Sequence, residues 1–106
     1  MSALMTGVKT NEGIISLAES TVRGECDPQQ SLPTLIDLAK AKGKSTAMVT
    51  TARVTHATPA TTYAHSADRN WESDHSMTEL AKNQGCQDIA SQFVNSATSP
   101  LDILFG

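Results

Sequence analysis

The run SLPTLIDLAKAKGK, residues 31–44, reads as a helix with both ends marked. Leu32, Leu35, Ile36 and Ala39 recur at the i, i+3, i+4, i+7 spacing that lays apolar side chains along one face. Pro33 falls in the predicted first turn, where its missing N–H costs nothing, and Gly43 supplies a left-handed stop. The flanks of this helix then limit the topology. GIISL (13–17) ahead of it is a short apolar run of β type, and STAMVTTARV (45–54) behind it is rich in β-branched residues. Strand, helix, strand implies a crossover and a parallel pair, since parallel neighbours cannot be joined by a tight hairpin.

The same grammar continues. AESTVRGECDPQQ is loop-like. TPATTYAHSA opens a helix, with Thr58 as the predicted cap and Pro59 in the first helical position. SMTELAKNQGCQDIASQFVNSA holds one or two helices with a break at Gly85, and Cys86, Ile89, Ala90, Phe93 and Val94 mark an inward stripe. LDILF (101–105) is a last short strand. The predicted fold is α/β over residues 1–106 as one domain: a small, mainly parallel three-stranded sheet with flanking helices. Parallel sheets are normally covered on both faces. Three strands leave two open edges, which predicts pairing with another copy and hence a homo-oligomer.

Composition excludes some partners. The formal charge is −3, with no basic run, so nucleic acid is not expected. Arg53 and Arg69 read as isolated cations. No apolar stretch is long enough for a membrane span, and the first ten residues do not resemble a signal peptide. If Met1 is the native start, the product stays in the cytoplasm. Aromatic residues are only 4%, so the core must be built from small side chains. Cys26 and Cys86 are too far apart in sequence for a CxxC site. Two free thiols are favoured over a disulfide, because nothing in the sequence signals an oxidising compartment.

The stretch RVTHATPATTYAHSADRNW (53–71) carries the candidate chemistry. Ligands in α/β sheets gather beyond the carboxyl ends of strands, where His56 and Thr58 fall. A Thr hydroxyl there can cap the helix or ligate a hard cation such as Mg²⁺, and the local pattern by itself favours the cap. The Arg69 guanidinium suits phosphate or carboxylate oxygens, but the local sequence by itself favours an ion pair with Asp68, Glu72 or Asp74. His56, His65 and His75 lack the spacing of a zinc helix. Trp71 is expected in the core. No serine sits in a nucleophile elbow.

The run KGKSTAMVTTARVTHATPATTYAHSADRNWESD resembles the metal-dependent alkaline phosphatase family, which shares a TTxRVxHATPAxTYAHxxxRNW-like signature. TGVKTNEGIISLAE, GCQDIASQFV and LDILFG also resemble family segments, in the right order. The likeness covers essentially this whole chain but only a fraction of the family's catalytic domain, so the implied fold is a fragment of the alkaline phosphatase fold. It implies phosphate or a phosphomonoester as the small-molecule partner, and Mg²⁺ and Zn²⁺ as family cofactors. Thr58 corresponds to the family's Mg²⁺-ligating Thr. His56 matches a position that acts near that metal through water. Arg69 corresponds to the Arg that clamps two phosphate oxygens. Cys86 matches a cysteine that pairs, in some members, with one at the position held here by Thr6, which leaves its pairing with Cys26 open.

The family's nucleophilic Ser belongs to a DSAA-like motif that is not in this sequence, and Ser2 is not that residue. Most of the zinc ligands are likewise not in it. The resemblance therefore implies a fragment carrying the Arg clamp and part of the Mg²⁺ site, inactive alone, with Mg²⁺ held weakly or not at all. Family members are usually periplasmic, secreted or surface-anchored. The competing expectation is a non-catalytic, oligomeric binding or structural domain derived from a phosphatase segment.

Overall fold

The GIISL run is the spine of the fold without being a sheet strand. In the computed structural model, which describes residues 1–95 and 100–106, Ile14 and Leu17 enter one buried cluster and Ile15 a second. The segment makes two isolated antiparallel bridges, Ile15 with Ser66 and Leu17 with Ser31. Ser16 between them has φ of 50°, a left-handed conformation that interrupts a ladder. Its N–H donates to Ser2 Oγ and its carbonyl accepts from Leu32 N–H. The predicted three-stranded sheet is thus corrected to a two-stranded one among the described residues.

Its strands are β1 (Ala47–Val49) and β2 (Ile103–Phe105), parallel as predicted, with Ala47 opposite Ile103 and Val49 opposite Phe105. β1 is shorter than the predicted 45–54. Thr50 Oγ1 accepts from Ala52 N–H and Arg53 O accepts from His56 N–H, which turns the chain out of the sheet. Met48 and Leu104 pack inward. Val49, Ile103 and Phe105 are 75%, 51% and 69% exposed, so the sheet is covered on one face only.

Helix α1 spans Ser2–Thr6 and helix α2 spans Leu35–Ala41. α2 starts beyond Pro33 because Thr34 caps it: Thr34 Oγ1 accepts from Asp37 N–H at 3.1 Å, and Asp37 Oδ2 accepts from Thr34 N–H at 2.7 Å. This reciprocal box satisfies two otherwise orphaned donors. Gly43, at φ 71°, ends the helix as predicted. Leu35 stands out into solvent, so α2 docks through Ile36. Lys40 pairs with Asp102, whose other oxygen accepts from Thr46 N–H at 2.8 Å, tying α2 to the sheet.

Helices α3 (Ala57–Ala60), α4 (Glu79–Asn83) and α5 (Ile89–Val94) fill the crossover from β1 to β2. The break between α4 and α5 falls at Gly85, as predicted, while positions 96 and 97 of that stretch lie outside the described residues. Ile89 is buried, and Phe93 meets Tyr63 edge-on with centroids 5.4 Å apart. Val94 is 73% exposed, which corrects its place in the inward stripe. Trp71 sits in the first cluster, as expected. Cys26 and Cys86 form a disulfide with Cα atoms 5.8 Å apart, overturning the free-thiol expectation. Both pack against the first cluster, which brings the loop and the post-α4 turn together.

Candidate functional site

Helix α3 begins two residues earlier than the sequence suggests. His56, not Thr58, is the cap: its Nδ1 accepts from Thr58 N–H at 3.3 Å. Thr58 therefore lies inside the first turn, solvent-exposed. Its hydroxyl makes no hydrogen bond among the described residues, although its carbonyl accepts from Thr61 Oγ1 at 2.7 Å.

Arg69 arrives at the same place from the other side. Its N–H donates to Gly13 O at 2.7 Å, and Ile15 and Ser66 exchange backbone bonds of 2.9 and 3.0 Å. These bonds lay the 66–69 loop along the 13–15 segment. Between them and α3 lies a cleft of about 140 Å³, with Ser2, Gly13, Thr58, Thr61 and Arg69 in its walls. Thr58 and Arg69 are thus brought together. His56 stays behind Thr58 as its cap, and its Nδ1 is committed to that role.

The acidic residues around Arg69 are engaged elsewhere. Asp68 accepts from Arg23 Nε and Nη2 at 3.1 and 3.0 Å and from Asn70 N–H at 2.9 Å. Glu72 accepts from Arg53 at 3.0 and 2.7 Å and from Thr55 Oγ1 at 2.6 Å. The predicted ion pair of Arg69 with Asp68, Glu72 or Asp74 does not form. The Arg69 guanidinium has no hydrogen bond or ion pair among the described residues, and Arg53 is not the isolated cation it resembles in sequence. Burial pushes the Asp68 carboxyl up, but the Arg23 hydrogen bonds, Asn70 N–H and the charges of Arg23 and Arg69 outweigh it and leave it below its ordinary value. The Arg53 and Thr55 hydrogen bonds bring Glu72 down to about 2.

The other histidines lie apart. His65 Nδ1 is 2.9 Å from Ser16 O, and His75 sits in a 3₁₀ turn at Asp74–Ser76. Mg²⁺ demands near-octahedral oxygen coordination. The cleft offers the free Thr58 hydroxyl, while Asp68 and Glu72 are bound to arginines. Among the described residues no group of three or more His, Cys, Asp or Glu is placed to hold a metal. These residues do not by themselves make a Mg²⁺ or Zn²⁺ site. A larger cavity, about 320 Å³, lies against the disulfide, Trp71 and His65. Its polar groups are largely engaged: Gln92 bonds the His65 backbone, and Asp27 accepts from Gln29 N–H. The smaller cleft, with an unpaired cation and an unpaired hydroxyl, is the stronger candidate site.

Sequence reasoning did not find Ser2 in the cleft or Arg23 beside it. Ser2 comes from the chain's first turn, and Arg23 lies 45 positions from its partner Asp68. No periodicity or motif announces such pairings.

The stretch RVTHATPATTYAHSADRNW follows β1 and carries α3 and Arg69, within a mixed order of helices and two parallel strands. The family model described as alkaline phosphatase matches residues 1–106, and the chain belongs to that family. It is 43% identical to the human tissue-nonspecific alkaline phosphatase isozyme over 107 residues, covering 99% of this chain and 20% of that protein. Identity to the alkaline phosphatase of Gadus morhua is 39%, covering 99% of this chain and 22% of that one. The chain therefore spans about a fifth of the length of the curated relatives it matches. Among solved structures, the alkaline phosphatase of the Antarctic bacterium TAB5 superposes with a TM-score of 0.60 at 21% identity, over 98% of this chain and 36% of that one. A variant of that enzyme, with Mg bound in its M3 site, superposes at 0.58 and 20% identity, again over 98% and 36%. At such identities the likeness is one of fold.

Proposed function

We propose that this segment supplies the phosphate-holding part of an alkaline phosphatase, an enzyme that hydrolyses phosphomonoesters, and that alone it binds phosphate without cleaving esters. Arg69 clamps two phosphate oxygens through its planar fork. Were Mg²⁺ bound in the full enzyme, the Thr58 hydroxyl would offer it one oxygen, the remaining ligands coming from outside the described residues. His56, with Nδ1 engaged as the α3 cap, would have only Nε2 left for a water near such a metal. The observation that carries the reading is one cleft lined by both Arg69 and Thr58, whose guanidinium and hydroxyl have no hydrogen-bond partner among the described residues. Neither group can attack phosphorus, since attack needs an activated nucleophile.

Titrating the chain with inorganic phosphate and following the ³¹P resonance tests this. A saturable shift that disappears in Arg69→Ala is expected, and identical titrations for both proteins would remove Arg69 from the role. A second reading, a non-catalytic homo-oligomer, is supported by the bare outer face of Val49, Ile103 and Phe105. Sedimentation at increasing concentration tests it: a monomer throughout would count against it.

A further inference from the structure

We propose that Arg23 is a positioning residue for the cleft: by occupying the Asp68 carboxylate it keeps the adjacent Arg69 guanidinium unpaired and available to an anion. The inference rests on the reading of Arg69 as an anion clamp, but it is tested separately.

An exposed arginine beside an aspartate normally finds it. Here three hydrogen bonds already fill most of the acceptor capacity of the Asp68 carboxylate. Its Oδ2 takes Arg23 Nε, and its Oδ1 takes both Arg23 Nη2 and Asn70 N–H. This fork-on-carboxylate geometry is the most specific an arginine makes. Asp68 immediately precedes Arg69 in the chain and feels its charge. Glu72 is withdrawn similarly by Arg53 and Thr55, but its electrostatic neighbours are Arg53 and His56. Asp68 is therefore the carboxylate that matters to Arg69.

Gly13 ties the arrangement to the cleft. Its carbonyl accepts the Arg69 N–H at 2.7 Å. A Cβ at Gly13 would lie 2.7–2.8 Å from the Arg23 guanidinium atoms, and its φ is +80°. One glycine therefore makes room for the arginine that holds Asp68 and anchors the backbone of the arginine that stays free. Arg23 contributes no atom to the cleft wall. It acts through Asp68.

The Arg23 side chain is 45% exposed, so Arg23→Gln is expected to fold, which circular dichroism checks. The direct readout is the rate at which phenylglyoxal labels Arg69, followed by peptide mass spectrometry in wild type, Arg23→Gln and Arg23→Gln/Asp68→Asn. In Arg23→Gln the released carboxylate pairs with Arg69, and labelling slows about two- to fivefold, the range an exposed ion pair supports. Removing the carboxylate as well restores the wild-type rate. A merely structural Arg23–Asp68 bridge would leave both variants alike. Unchanged Arg69 labelling in Arg23→Gln, or slowing that Asp68→Asn fails to reverse, overturns the inference. Inorganic phosphate added in parallel separates the two ideas: the labelling pattern without phosphate protection of Arg69 upholds the role of Arg23 and removes the clamp reading.

Discussion

Glu72 shows how a hydrogen-bonded ion pair outside the cleft can contribute to the stability of the fold. Hydrogen bonds from Arg53 and Thr55 hold its carboxyl near 2, against an ordinary value of 4.5. A depressed carboxylate stabilises the fold at pH values above its unfolded value, and that contribution is lost as pH falls through the folded one. Wild type should therefore be more stable than Glu72→Gln at neutral pH. The gap should close between about pH 4.5 and 2. Urea midpoints for both proteins across that range check this, and a constant gap would remove the ion pair as its cause. At this scale the sequence was only half informative. Thr58 and Arg69 stood out because their chemistry sits within one short motif. Their environment did not, because the arginines that take Asp68 and Glu72 lie 45 and 19 positions from their partners.

At the level of elements, caps decided what periodicity could not. The apolar spacing of SLPTLIDLAKAKGK located a helix, but Pro33 was expected in its first turn, whereas the helix starts at Leu35 after the Thr34 cap. The Thr34–Asp37 box decided that, and Thr34→Ala should cost about 1 kcal/mol of stability, the usual value for a lost N-cap. Chemical denaturation reads it, and no change would mean the box is redundant. His56 displaced Thr58 as the cap of α3 in a similar way: a ring nitrogen did what a hydroxyl was expected to do. GIISL was legible as buried and extended. Its failure to join the sheet was not, because a positive φ at Ser16 follows from tertiary bonds to Ser2 and Leu32 rather than from the residue itself.

In the whole molecule, two small clusters lie on either side of the 14–17 segment. The first is fastened by the Cys26–Cys86 disulfide across 60 positions. Closing a loop of that length stabilises a fold by about 4 kcal/mol in the chain-entropy model. Reduction, or Cys26→Ser with Cys86→Ser, should lower unfolding free energy by roughly that amount. Equal denaturation midpoints with and without reductant would show that the clusters hold the chain unaided. The parallel order of the strands was readable from their alternation with helices. The bare outer sheet face was not, since alternation does not say what covers it.

The central claim is that the Thr58–Arg69 cleft holds phosphate but has no group able to attack it. The most direct measurement is phosphomonoester turnover by the size-fractionated chain, beside its Arg69→Ala variant, with the reacting protein quenched and searched for phosphoserine by mass spectrometry. The rate should equal that of the variant, with no phosphoserine detected. Turnover above the variant, together with a phosphorylated serine, would contradict the claim.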